Sequence, residues 1–143
     1  MVAEHDDVQR HCWDGAVPIR FILSPSEVSA SQSPSPLYLP IRRMSYFSSL
    51  AARIRDHFFS WASTAHDEWW LEFEGIPLQW NYPVGVLFDV HCGSIASRPN
   101  LPWDIVVHFA RFPGDRILRC GDPRVALSYF TNSLKEVGCI FPE

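Results

Sequence analysis

Trp103-Asp104-Ile105-Val106-Val107-His108-Phe109 is the strongest strand signal in the chain, a short apolar run rich in β-branched residues. It is apolar enough to predict a central position in a sheet. Working back from it, a loop rich in Gly, Ser and Pro precedes Leu101. Before that loop, residues 83–90 (Pro83 to Val90) read as a short helix with proline at its first position. Trp69-Trp70-Leu71-Glu72-Phe73-Glu74 alternates as another strand, and Gly75 begins the turn into Pro77-Leu78-Gln79-Trp80. Trp69 and Trp70 are consecutive and must face opposite sides of a sheet, so one ring points away from the main core. That ring is expected to meet either the C-terminal helix or a partner.

Upstream, Tyr46, Leu50, Ile54 and Phe58 recur every four residues, flanked by Phe47 and Trp61. This period predicts an amphipathic helix capped by Ser45 and reaching about Ser60. Two short strands come first: Val17 to Leu23, and Leu37 to Ile41, whose Pro40 favours a sheet edge. Between them lies SPSEVSASQSPSP, Ser24 to Pro36, with almost nothing to bury; an exposed loop or disordered insertion is expected. The order is strand, strand, helix, two strands, short helix, strand. It predicts an α+β fold of the ubiquitin-like β-grasp kind: a mixed four- to five-stranded sheet with one crossing helix, followed by a C-terminal helix. A ferredoxin-like sandwich is the competing arrangement, but its second helix would have to be longer than eight residues.

The expected organisation is an N-terminal tail or short helix over residues 1–14, the β-grasp domain over 15–113 with its Ser/Pro-rich loop at 24–36, and a helical segment over 114–143. In that last segment Asp122 can cap, Pro123 can open the helix and Gly138 can stop it. Ala126, Phe130, Leu134 and Val137 form one stripe, with Leu127 beside it. At about 100° per residue, position 135 lies roughly 140° from Phe130. Lys135, the single lysine beside eleven arginines, is therefore presented outward with Ser128, Thr131 and Asn132.

Composition narrows the function. Hydrophobic residues make up 47% and charged residues 20% of 143 positions, a globular balance with room for one domain. The net charge of −4 gives no basic surplus for nucleic acid. No apolar run reaches the length of a membrane span, and the acidic N-terminus is unlike a secretory signal, so a cytosolic or nuclear place is expected. Cys12, Cys92, Cys120 and Cys139 form no Cys-x-x-Cys pair and read as reduced packing thiols. His91-Cys92 is an adjacent pair for a thiol mechanism, but it lies in no nucleophile motif. His5, His11 and Cys12 are close but sit in a tail, and His108 stands alone in an apolar strand. No metal, cofactor or catalytic residue is expected. Trp69, Trp70, Trp80, Tyr82 and Trp103 are dense for a small domain; most read as core, and one or two as interface anchors.

The stretches WDGAVPIRFIL (Trp13 to Leu23), RMSYFSSL (Arg43 to Leu50), WWLEFEGIPLQWNYPVGVLFD (Trp69 to Asp89) and LPWDIVVHFARFP (Leu101 to Pro113) together resemble the N-terminal ubiquitin-like domain of the autophagy protein 5 family. The resemblance spans about Trp13 to Val137. It implies a β-grasp scaffold without an active site of its own. In that family a helix after the first ubiquitin-like domain carries a lysine joined by an isopeptide bond to the C-terminal glycine of autophagy protein 12. The matching stretch is Asn132-Ser133-Leu134-Lys135-Glu136-Val137, so the resemblance assigns the acceptor role to Lys135. It also implies conjugating enzymes of the pathway as partners, the coiled-coil autophagy protein 16, and peripheral placement at preautophagosomal membranes through the complex. The assembly would promote transfer of autophagy protein 8 to phosphatidylethanolamine.

Two departures accompany the match. The chain ends at Glu143, where family members continue through a helix-rich region and a second ubiquitin-like domain, so a shared partner groove is expected to be incomplete. Gln79 also stands where family members often carry lysine. An alternative function is therefore a truncated ubiquitin-like module that docks partners without being conjugated.

Overall fold

The computed structural model describes residues 2–29, 31–63, 68–93, 101–119 and 123–140. Helix α1 (Val2–Asp14) leads into strand β1 (Ala16–Leu23), then β2 (Leu37–Arg42) and helix α2 (Ala51–Phe58). Strands β3 (Trp70–Phe73) and β4 (Ile76–Pro77), helix α3 (Val84–Cys92), strand β5 (Trp103–His108) and helix α4 (Pro123–Ile140) complete the order. The sheet runs β2-β1-β5-β3-β4. β1 and β5 pair in parallel, with Phe21 opposite Ile105, and the remaining pairs are antiparallel. The run Trp103 to His108 is central, as its apolarity predicts, and Pro40 lies on an edge strand. The fold is the mixed-sheet, ubiquitin-like α+β arrangement expected.

Alternation in the central strands makes the two faces unlike. Ile19, Phe21 and Leu23 of β1 and Trp103, Ile105 and Val107 of β5 point inward and are buried. They pack with Phe47, Ile54 and Phe58 around α2 and with Val84 and Leu87 of α3. Complete burial of each such side chain is worth roughly 1.5–3 kcal/mol. Trp103 is the hub: the rings of Phe47, Phe73 and Phe88 stand 6.3, 5.6 and 5.4 Å away. α3 comes close enough to the turn after β2 that a Cβ on Gly85 would lie 2.7 Å from the Cβ of Arg43. The Gly85 N–H donates to the Arg43 carbonyl there, and the Arg43 guanidinium pairs with Asp89. Only glycine allows that approach.

Several local expectations are corrected. The predicted helix from Ser45 to Ser60 opens as a 3-10 turn, Phe47–Leu50, and closes as another, Phe59–Trp61. Ser45 caps neither; its carbonyl accepts from the Val84 N–H. The tight opening swings Phe47 into the core, edge-on to Phe21 at 6.1 Å, which a regular helix from Ser45 would not do. Trp69 precedes β3, and β4 is Ile76–Pro77 in place of residues 77–80. The β3–β4 turn places Glu74 and Gly75 at φ 48° and 79°, the left-handed pair of a two-residue hairpin. Pro83 is the N-cap of α3 and not its first helical residue.

The Ser/Pro segment is also more tied down than its composition suggests. Ser24 and Glu27 are only 4% and 7% exposed. The Ser24 N–H donates to Val107, the Ser29 N–H to Trp61, and the Ser63 N–H to Glu27. Glu27 accounts for the anchoring. One of its oxygens accepts the buried Phe109 N–H at 2.6 Å, and the other lies 3.0 Å from His108 Nδ1. His108 Nε2 is 3.0 Å from Glu72, and Trp70 stacks on the ring at 4.1 Å, 10° from parallel. His108 is thus held between two carboxylates and does not stand alone. Both contacts are hydrogen bonds only when the ring carries both its protons, since carboxylates only accept.

Glu27→Ala should lower unfolding free energy by about 2–4 kcal/mol, because it strips a buried N–H and a histidine of their acceptor. Glu74→Ala, at an exposed turn, should change it by less than about 0.5 kcal/mol. Urea unfolding of both variants checks this; equal effects would remove Glu27 as the anchor.

Candidate functional site

α4 begins at Pro123, as read from the sequence; the proposed Asp122 cap lies outside the described residues. Gly138 does not stop the helix, which continues to Ile140. The helix is fastened to the β-grasp domain through aromatic contacts. Phe130 meets Tyr46 edge-on at 5.9 Å, and Tyr129 meets Trp80 at 5.6 Å, 88° from parallel. The Trp80 indole N–H donates to the Leu118 carbonyl, fixing that ring beside the helix. Between helix and domain runs a groove of about 490 Å³, with Tyr46, Trp80 and Tyr82 on one wall and Ala126, Leu127 and Phe130 on the other. Phe130 and Ala126 therefore turn toward the domain, although Phe130 stays 45% exposed. Leu134 and Leu127 of the predicted apolar stripe remain 56% and 65% exposed.

Lys135 lies on the opposite side of α4 from this seam. It is exposed, as are Ser128, Thr131 and Asn132 around it. Ser128 and Thr131 turn their hydroxyls back to the carbonyls of Arg124 and Leu127, and the exposed Glu136 follows Lys135 on the helix. Among the described residues the Lys135 amine has no ion pair or hydrogen bond. An unpartnered primary amine on an ordered helix can act as a nucleophile toward an activated acyl group brought to it.

The other sequence candidates fall elsewhere. Cys92 is half-buried on the last turn of α3 against the core; burial first, and the Glu74 carboxylate second, push its thiol up. That is opposite to what a thiolate nucleophile needs. His91 packs against Phe73 at 6.1 Å. His11 contacts the Asp7 carbonyl within α1. No group of three or more His, Cys, Asp or Glu among the described residues is placed to hold a metal. Of the paired tryptophans, Trp69 packs on the core, while Trp70 turns outward onto His108 and gives its N–H to Ala110. The outward ring therefore meets His108 and not α4; Trp80 is the one that meets α4. No helix among the described residues is long and apolar enough to cross a membrane.

The chain matches the family model described as autophagy protein ATG5, UblA domain, over residues 12–109. It is 36% identical to autophagy protein 5 of Penicillium rubens over 146 residues, covering 90% of this chain and 46% of that protein. Against autophagy protein 5 of Dictyostelium discoideum it is 30% identical over 189 residues, covering 94% and 47%. Against the Oryza sativa subsp. japonica protein it is 35% identical over 148 residues, covering 98% and 38%. The crystal structure of Kluyveromyces marxianus Atg5 superposes with a TM-score of 0.79 at 16% identity, over 96% of this chain and 58% of that one, which shows a common fold. The chain spans about half the length, or less, of these curated relatives.

The α4 seam leaves a measurable trace on Tyr46, whose phenol burial pushes up from its ordinary value. Phe130→Ala should uncover it and bring its ionisation down toward about 10. The sign follows from burial disfavouring the phenolate: the folded chain holds this proton more tightly, so its stabilising share is complete below about 10 and fades as pH rises through the folded value. NMR titration of the Tyr46 ring checks the shift; an unchanged value would mean that Phe130 does not cover it.

Proposed function

This chain belongs to the autophagy protein 5 family, and from that membership we propose that it is a non-catalytic scaffold domain of autophagosome formation, with Lys135 the acceptor of an isopeptide bond from the C-terminal glycine of autophagy protein 12. The observation that carries the assignment is the position of the chain's single lysine. It stands solvent-exposed on α4, on the side turned away from the aromatic seam, and the stretch from Asn132 to Val137 resembles the family's acceptor helix. In the reaction the neutral amine attacks a thioester carbonyl, the amide bond forms, and the thiolate leaves with its electron pair on the conjugating enzyme. A protonated amine has no lone pair to attack with, so the proton must leave before the bond can form. Orientation and removal of the proton fall to that enzyme, and this chain is its substrate. The conjugate would then bind the coiled-coil autophagy protein 16 and promote lipidation of autophagy protein 8 at preautophagosomal membranes, reached peripherally from the cytoplasm. No cofactor enters this scheme.

Lys135→Arg keeps the charge and the helix but leaves the α-amino group as the chain's only primary amine. In a reconstituted conjugation cascade it should abolish the conjugate, read as loss of the heavier band on a denaturing gel. Conjugate as abundant on the variant as on the wild type would reject the site.

The groove between α4 and the domain favours a second reading, in which the chain docks partners without being conjugated. The two readings separate in one pull-down. Docking alone predicts that Lys135→Arg retains every partner that removal of Ser45 to Ser60 abolishes, with no covalent adduct on either chain.

A further inference from the structure

Three Ser-Pro dipeptides occur in the chain, all within the segment from Ser24 to Pro36: Ser24-Pro25, Ser33-Pro34 and Ser35-Pro36. Proline biases the residue before it toward extended backbone and offers no N–H of its own. A kinase that selects Ser-Pro needs that extended serine, with the hydroxyl free and the following ring free to enter the enzyme's own pocket. The fold sorts the three on this criterion. Ser24 is buried, its N–H bonded to Val107 and its hydroxyl 2.9 Å from that of Ser26. Ser33 is exposed, but the ring of Pro34 is buried. At Ser35-Pro36 both residues are exposed.

The surroundings of Ser35 suit an added phosphate. His57 Nε2 donates to the Ser35 carbonyl at 2.9 Å, so the residue lies along α2. Arg53, one helical turn earlier on the same face, is exposed and has no ion pair among the described residues. A phosphate brings about −1.5 to −2 charges and three strong acceptor oxygens to a stretch that carries Arg53 and His57 as well as Asp56, where charge-assisted bonds to the cationic pair would fasten the segment to α2.

We propose that Ser35 is a phosphorylation site for a proline-directed serine kinase. Its Oγ attacks the γ-phosphorus of a nucleoside triphosphate, and a P–O bond forms. The β–γ anhydride bond breaks, the nucleoside diphosphate leaves with the electron pair, and the serine proton passes to the kinase's carboxylate base. The test treats the full chain with a mitogen-activated protein kinase and ATP and locates phosphate by mass spectrometry. A synthetic peptide of residues 23–39 serves as the unfolded comparison. The expected result is phosphate on Ser35 of the full chain, reduced to background by Ser35→Ala, with Ser33 taking phosphate only in the peptide. A full chain without phosphate on Ser35 overturns the proposal, whatever the peptide does. So does a full chain modified at Ser24 or Ser33 as readily as at Ser35.

Discussion

The parallel pairing of β1 with β5 is the constraint on which the rest of the molecule depends. Parallel neighbours cannot be joined by a tight turn, so the chain between them must leave and return by a longer route. Here it leaves through the β2 hairpin on one side, crosses by α2, and builds β3 and β4 at the other side. It crosses again by α3 before inserting β5 at the centre. Register then decides the faces. With Phe21 opposite Ile105, the inward residues of both strands line one layer for α2 and α3 to cover. The outward residues are left to satisfy themselves, and they do so with polar pairs. Arg20 donates to Asp104 at 2.7 Å on the neighbouring strand, and His108 lies between Glu27 and Glu72.

What was legible in the sequence follows from the range of the forces involved. The apolar, β-branched runs of β1 and β5 and the period-two alternation of β3 are local signals, so their existence and order could be read, along with the centrality of Trp103 to His108. The start of α2 could not. Phe47 is drawn into the Trp103 ring cluster, and that tertiary attraction tightens the backbone into a 3-10 turn where propensity suggests plain helix. Glu27 was invisible for a similar reason. It looks like one charge in a polar loop, and its partners His108 and Phe109 lie more than eighty residues away. Gly138 was overread: glycine weakens a helix interior by about 1 kcal/mol but does not end it by itself.

The proposed acceptor was legible in a different sense. Residue count and helical period were enough to single out Lys135 and turn it outward. Its chemical role came from resemblance, because an exposed lysine near a helix end is also a routine complement to the helix dipole. The seam that orients α4 was only half readable. The inward positions of Ala126 and Phe130 follow from periodicity. The partners of Phe130 and Tyr129, Tyr46 and Trp80, belong to loops whose placement depends on the finished sheet. The result divides α4 into a fastened side and a presenting side.

The two ends of the sheet have a consequence for behaviour at high concentration. Among the described residues the ladder ends at β2 on one side and at β4 on the other. Exposed strand edges are templates for pairing with further chains, and proteins blunt them by shortness, charge or proline. β4 offers only two residues, one of them Pro77. β2 carries Pro40 and ends in exposed Arg42, so a strand laid along it would meet a missing donor and then a charge. A sheet with its parallel pair held inside and such poor edges outside resists edge-to-edge aggregation, even with 47% of its residues hydrophobic.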